Sequence, residues 1–168
     1  MRASARTAML ATATFLCVAG VSPRGASAAA VCSFEEPNSF SPGVSMTPRA
    51  YTFTTGGQTG TITCNGDIAG QQITGPGTLS DDGRANGGSW CLSGTGTGEY
   101  RLQIPTTGGR VELHYPYFFS YTLSLGFFGG RGFQGSFNIV PTKGNCLTSP
   151  LTEARLHGMA QLVASGAD

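Results

Sequence analysis

Residues 111–123 read VELHYPYFFSYTL, and their alternation decides the fold class. Val111, Leu113, Tyr115, Tyr117, Phe119, Tyr121 and Leu123 share one parity, Glu112, His114, Pro116, Ser120 and Thr122 take the other, and Phe118 is the exception. A period of two puts the first set on one face of a β-strand and the second on the opposite face, whereas a helix needs apolar residues every three or four positions. Pro116 has no N–H to give to a ladder, so a bulge or a sheet edge is expected there.

Just upstream, residues 91–105 read CLSGTGTGEYRLQIP. A dinucleotide-binding loop needs G-x-G-x-x-G between a strand and a helix, and a P-loop needs a closing Gly-Lys-Ser/Thr; neither is present. Gly94, Gly96 and Gly98 instead continue the parity of Tyr100, Leu102 and Ile104, which places them on the inward face of a long strand. The outward face is then Ser93, Thr95, Thr97, Glu99, Arg101 and Gln103. Glycines on an inner face admit a closely approaching neighbour or mark a bend where a sheet curls.

The same periodicity predicts strands around Tyr51 and Phe53 and over residues 133–139, with shorter ones over 60–64 and 72–79. Residues 151–163 are expected to form a last strand, a short helix being the other reading of TEARLHGMAQLVA. Turn signals stand at Gly56-Gly57, Asn65-Gly66, Asp82-Gly83, Gly108-Gly109, Gly129-Gly130 and Lys143-Gly144. Six to eight strands joined in chain order predict an all-β antiparallel meander curling into a small barrel, with a two-sheet β-sandwich as the alternative. The inward glycine row favours the barrel.

Arg2 and Arg6, an apolar run over residues 8–20 and small residues ending in Ala26-Ser27-Ala28 follow the order of a secretory signal peptide, with cleavage expected after Ala28 or Ala30. The run is shorter than the ~20 apolar residues a membrane span needs, and no later stretch is long enough. Neither Cys17 after Leu16 nor Cys32 after Val31 has the small preceding residue of a lipid-anchored cysteine. Residues 29–168 are expected to form a single secreted β-domain, in the extracellular space or the cell envelope. Loss of Arg2, Arg6 and Arg24 takes ten basic residues to seven against nine acidic ones, a formal charge of −2. Scattered over a slightly acidic chain, those seven do not make a nucleic-acid surface.

Cys17 leaves with the leader, and Cys32, Cys64, Cys91 and Cys146 remain as an even set that reads as two disulfides in an oxidising compartment. No C-x2-C spacing offers a zinc site. Of three connectivities, Cys64 with Cys91 and Cys32 with Cys146 is the expected one, because the first closes a loop and the second ties the chain's start to its last strand.

The phrases ITGPGTL (73–79), CLSGTGTGEY (91–100) and PTKGNC (141–146) resemble those of a group of small secreted actinobacterial proteins of unknown function. That resemblance covers most of residues 29–168. It implies secretion and β-structure and names no substrate.

Candidate chemistry is sparse. His114 and Glu112 share a strand face and are the candidates for acid–base work, and Glu153 and His157 share a parity in the tail. Ser89 lacks the second flanking glycine of a nucleophile elbow. Asp81-Asp82 lacks the alternating oxygen ligands of an EF-type calcium loop. No catalytic residue, metal site or cofactor is assigned. The aromatic set Tyr100, Tyr115, Tyr117, Phe119, Tyr121, Phe133 and Phe137 fills the core or lines a cavity for a small ligand. The expectation is therefore a secreted non-catalytic β-domain with a binding or structural role. A lipocalin-like carrier of a small apolar ligand and a small secreted enzyme using Glu112 and His114 are the alternatives, and a small apolar ligand or an envelope component is the expected partner.

Overall fold

The structure is a computed structural model and describes residues 30–162. The expected leader, its Cys17 and its cleavage site after Ala28 lie outside the described residues.

Eleven strands run β1 (Ala30–Val44), β2 (Tyr51–Thr54), β3 (Gly60–Asn65), β4 (Asp67–Ile68), β5 (Gln71–Gln72), β6 (Gly77–Ala85), β7 (Ser93–Thr106), β8 (Gly109–Thr122), β9 (Leu125–Gly130), β10 (Phe133–Lys143) and β11 (Leu151–Leu162). One antiparallel sheet runs from β11 back through β10, β9, β8, β7 and β6 to β2 and β1, and β1 pairs with β11 to close the ring. The barrel therefore has eight positions, and closure removes the edges that an open sheet leaves unpaired.

One position is shared by two strands. β2 pairs with Ser39–Ser41 of β1 and with Asp82–Ala85 of β6, while β3 pairs with Val31–Glu35 and with Gly77–Leu79. They act as one strand interrupted over residues 55–59, and the interruption faces Glu36 and Asn38 on one flank and Asp81 on the other. The β4–β5 hairpin stands outside the ring at the end opposite β2; its Ile68 is buried, and Gln71 Oε1 accepts a 2.6 Å hydrogen bond from Thr106 Oγ1.

The parity assignment for β7 and β8 describes the barrel wall. Tyr115, Tyr117, Phe119 and Tyr121 are buried while Glu112, His114, Pro116, Phe118, Ser120 and Thr122 are exposed. β7 and β8 stay in register from Ser93 opposite Thr122 to Thr106 opposite Gly109, so Pro116 makes no bulge against β7. It lies beyond the end of β9, whose pairing with β8 stops at Phe118 opposite Gly129, and that flank is the sheet edge a proline tolerates.

The inward glycines are seats for rings. Gly94 faces Tyr121, Gly96 faces Phe119 and Gly98 faces Tyr117 across the ladder. A Cβ added at each would meet that partner's ring, at 2.5 Å from Tyr121, 2.7 Å from Phe119 and 2.5 Å from the Tyr117 hydroxyl. The device recurs around the barrel: Gly83 opposite Phe53, Gly135 opposite Phe128, Phe137 opposite Gly126, and Phe34 opposite Gly158 are registered pairs in which the ring lies over the glycine. Each glycine gives up its side-chain volume so that an aromatic ring can lie flat and the sheet can curl.

The turn expected at Asp82-Gly83 falls inside β6, and the one at Gly129-Gly130 falls inside β9. Gly83 serves Phe53, and the turn after β9 uses Gly132, whose φ of 80° is the left-handed conformation glycine adopts without strain. The segment 72–79 is split between β5 and β6. The tail is a strand, β11. Strands β1 and β9 carry no clean alternation in the sequence and are additions to the expected set.

The four cysteines among the described residues are paired, but in a different connectivity from the expected one: Cys32 with Cys64 and Cys91 with Cys146. The expectation failed because β1 was not recognised. Once β1 lies beside β3, Cys32 and Cys64 are direct cross-strand partners on the inward face. Cys91 and Cys146 then meet at the open end of the barrel, in the loops before β7 and after β10.

Candidate functional site: an apolar mouth over a buried acid pair

Four connecting segments form the open end: residues 45–50, 86–92, 123–124 and 144–150. Between them lies a cup of about 330 Å³ whose walls include Val44, Met46, Leu92, Leu123, Leu147 and the Cys91–Cys146 disulfide. Leu123 and Leu147 are 63% and 79% exposed, and Met46 is also exposed, so the rim presents apolar side chains to water. Asn145 and Ser124 supply polar groups to the wall. The cup has the size and character of a small-molecule site.

Below it the barrel narrows. Phe40, Tyr51, Tyr121 and Ile139 form the floor of the cup and also the roof of a second cavity of about 30 Å³. The Tyr51 hydroxyl donates to the Tyr121 oxygen at 3.1 Å, and the Tyr121 hydroxyl donates to the Trp90 carbonyl at 2.7 Å. The lower cavity is lined by eight aromatic residues, two aliphatic ones and a single carboxyl, Asp81. Its volume holds about one or two water molecules, so the barrel interior is mostly filled.

The expected aromatic lining divides accordingly. Tyr100, Tyr117, Phe119, Tyr121 and Phe137 line the lower cavity. Tyr115 and Phe133 do not; their rings stack on each other with centroids 5.0 Å apart and help fill the barrel beyond the cavity.

Beside the cavity lies a polar cluster that sequence inspection missed. Asp81 is 1% exposed, Glu36 0% and Asn38 2%. Tyr117 Oη donates to Asp81, with both carboxylate oxygens at 2.8 Å, and Tyr100 Oη donates to Glu36 Oε1 at 3.0 Å. The two phenol rings are stacked with centroids 4.6 Å apart, which couples the two carboxyls through one aromatic layer. Glu36 Oε2 and both polar atoms of the Asn38 amide have no hydrogen-bond partner. Among the described residues no Lys, Arg or His is buried, so nothing cationic offsets the two acids.

Electrostatics follow from that isolation. Desolvation pushes the Asp81 carboxyl up to about 8, Tyr117's hydrogen bond moderating the rise and the neighbouring Asp82 adding to it. Burial and then the nearby Asp81 charge raise Glu36 well above the carboxylate range, against the smaller effects of Tyr100 and Asn38. Burial likewise raises the Tyr100 and Tyr117 hydroxyls well above their usual value. At neutral pH the cluster is a pair of largely protonated acids in an aromatic box.

Only sequence position could have hinted at the cluster. Asp81 reads as a loop residue beside Asp82 and Gly83 until β6 is recognised as a strand. Parity then sends Asp81 inward and Asp82 outward, where Asp82 accepts from Thr54 at 2.6 Å and pairs with Arg101 at 3.3 Å. Glu36 looks like a surface residue in a stretch with two prolines and two acids.

The histidines are elsewhere. His114 is exposed on the outer wall and contacts Glu99 at 3.3 Å, while Glu112 accepts from Gln103 at 3.1 Å. The Glu99 carboxyl is held below its usual range by His114 and Arg101. His157 lies 3.7 Å from Glu35, and Glu153 pairs with Lys143. The structure thus gives Glu112 and His114 different partners on an open face, while Glu153 lines a side pocket of about 310 Å³ that His157 does not join. Ser89 is 1% exposed and bonds to the Thr95 backbone as a loop anchor.

A second apolar area marks the outer wall, where Phe118, Phe127, Met159 and Val31 are 66%, 57%, 52% and 44% exposed across β8, β9, β11 and β1. No helix among the described residues is long and apolar enough to cross a membrane. Comparison with known proteins finds no matching family, no matching curated protein and no matching solved structure.

Proposed function

We propose that this chain is an exported, non-catalytic binding barrel, acting in the extracellular space or cell envelope, whose mouth takes a small, largely apolar molecule. The cup of about 330 Å³ between the mouth loops carries the reading, since it is apolar, open to solvent and braced by a disulfide. Two disulfides and the charged, apolar, small-residue order of the N-terminus support export. Cleavage after Ala28 leaves Ala30 in place to pair with Leu162 where the ring closes. The small lower cavity favours a ligand held at the mouth over one swallowed whole in the manner of a wide lipocalin-like barrel.

A neutral six-carbon probe tests the site. Titration of 1-hexanol into the purified mature chain, followed by amide chemical shifts, should give saturable changes at Leu92, Leu123 and Leu147. The paired substitution Leu123→Glu and Leu147→Glu, at exposed rim positions, should weaken the probe at least tenfold while leaving the melting temperature nearly unchanged. Shifts scattered over the outer wall, or equal affinity of the two proteins, would remove the mouth as the site.

A further inference from the structure

We infer that the mouth and the cavity beneath it together take an amphiphilic amine: the alkyl or aryl part lies in the cup, and the ammonium head enters the aromatic box to meet Asp81. The inference rests on the mouth-binding reading and adds the chemical class of the ligand.

Three observations converge on a cation. The box walls are aromatic faces, including Tyr51, Phe53, Tyr100, Tyr117 and Phe119, with Asp81 as the one carboxyl among them. Aromatic faces carry negative potential and attract an ammonium, most strongly when it is desolvated. Asp81 accepts from the Tyr117 phenol and Glu36 from the Tyr100 phenol, no Lys, Arg or His among the described residues is buried beside them, and Glu36 Oε2 is left without a partner. A buried carboxyl without a cationic partner is costly to ionise, and a donor that carries positive charge into the cavity offsets that cost at Asp81. An ammonium brings three N–H donors and the missing positive charge in one group. The lower cavity, at about 30 Å³, admits such a head and excludes the rest of the molecule, which stays in the cup.

The proton inventory makes the inference testable. Asp81 is faced by Glu36 from β1, Tyr100 from β7 and Tyr117 from β8, with Asp82 adjacent in β6 on the outer face. No cation among the described residues faces it and burial raises both carboxyls, so admission of an ammonium favours the ionised form and displaces a proton to solvent. Amine affinity should rise with pH until the pair ionises unaided and stay high until the amine loses its own proton near pH ~10.

Calorimetric titration of the mature chain with hexylamine and with 1-hexanol, at about pH 6 and about pH 8.5 and in two buffers of different ionisation enthalpy, separates the possibilities. The expected result is hexylamine at least tenfold tighter than hexanol at the higher pH, a smaller advantage at the lower pH, and buffer-dependent heat showing proton release at the lower pH. Asp81→Asn should abolish the amine's advantage while hexanol, held by the cup, binds within about twofold of the parent. If that variant does not fold, the proton release of the unaltered chain and the same comparison in Glu36→Gln decide the matter. Equal affinity for the two probes, or tight amine binding with no proton released at the lower pH, overturns the amine assignment and leaves the mouth site standing. Failure of both probes to bind overturns both.

Discussion

At Gly96 the absence of a side chain is structural. A Cβ there would press on the Phe119 ring and on the Arg84 carbonyl oxygen, whereas Thr97, one position on, is exposed on the outer wall. Gly96→Val is expected to destabilise the barrel by roughly 1 to 3 kcal/mol through overpacking. Thr97→Val, β-branched before and after, should be nearly neutral. Thermal melts of the two variants check the face assignment, and equal melting temperatures would refute it. Asp81 gives a second residue-level expectation, with the sign set by its raised pKa. The folded chain keeps its proton up to about pH 8, while the unfolded chain loses it near the ordinary carboxylate value. The native state therefore binds more protons in between, and stability falls as pH climbs from about 4 towards 8, by about 1 kcal/mol per pH unit for this group. Asp81→Asn should flatten that slope and raise stability at about pH 8, read from urea midpoints across the range.

Among the elements, β7 and β8 were legible because their two faces differ in kind along their length: glycine or large apolar residues inside, Thr, Glu, Arg and Gln outside. β11 was legible as a strand through its sheet-closing role. The strand that hid, β1, is the one whose inward face carries Glu36 and Asn38, and those side chains break the apolar alternation that reveals a half-buried strand. The fold signal and the site signal thus failed at the same positions, where buried polar side chains override local patterning. Missing β1 also misdirected the disulfides, since only its register beside β3 sets Cys32 against Cys64. Proteolysis of the unreduced chain followed by mass mapping should recover Cys32–Cys64 and Cys91–Cys146 and no free thiol among the four. Replacing Cys32 and Cys64 together by Ala frees a closure of 32 positions and is expected to cost about 3 to 4 kcal/mol by chain-entropy reasoning.

Across the whole molecule, the ladders from β6 to β11 join consecutive strands, β2 and β3 each pair with both β1 and β6, and the β1–β11 seam joins the two ends of the described chain and turns a curled sheet into a barrel. The seam runs from Ala30 opposite Leu162 to Ser39 opposite Glu153, resumes at Val44 opposite Leu151, and carries Phe34 over Gly158. On it also hangs the acid cluster, because Glu36 reaches the interior only where β1 is held between β11 and the interrupted β2–β3 position. A glycine at the seam is the sharpest probe of closure. Gly158→Val places branched atoms where the Phe34 ring and the Ser136 carbonyl already lie, so it should push β11 away from β1 and β10 while leaving the β7–β8 wall intact. The expected outcome is a loss of at least 2 kcal/mol, the upper half of the overpacking range, together with amide exchange that accelerates in β1 and β11 well before β7 and β8. Met159→Val, the next residue and exposed on the outer wall, is the matched control and should change stability by no more than about 0.5 kcal/mol. If Gly158→Val instead exchanges uniformly faster in all strands, the barrel opens only as one unit and the seam is no weaker than its walls.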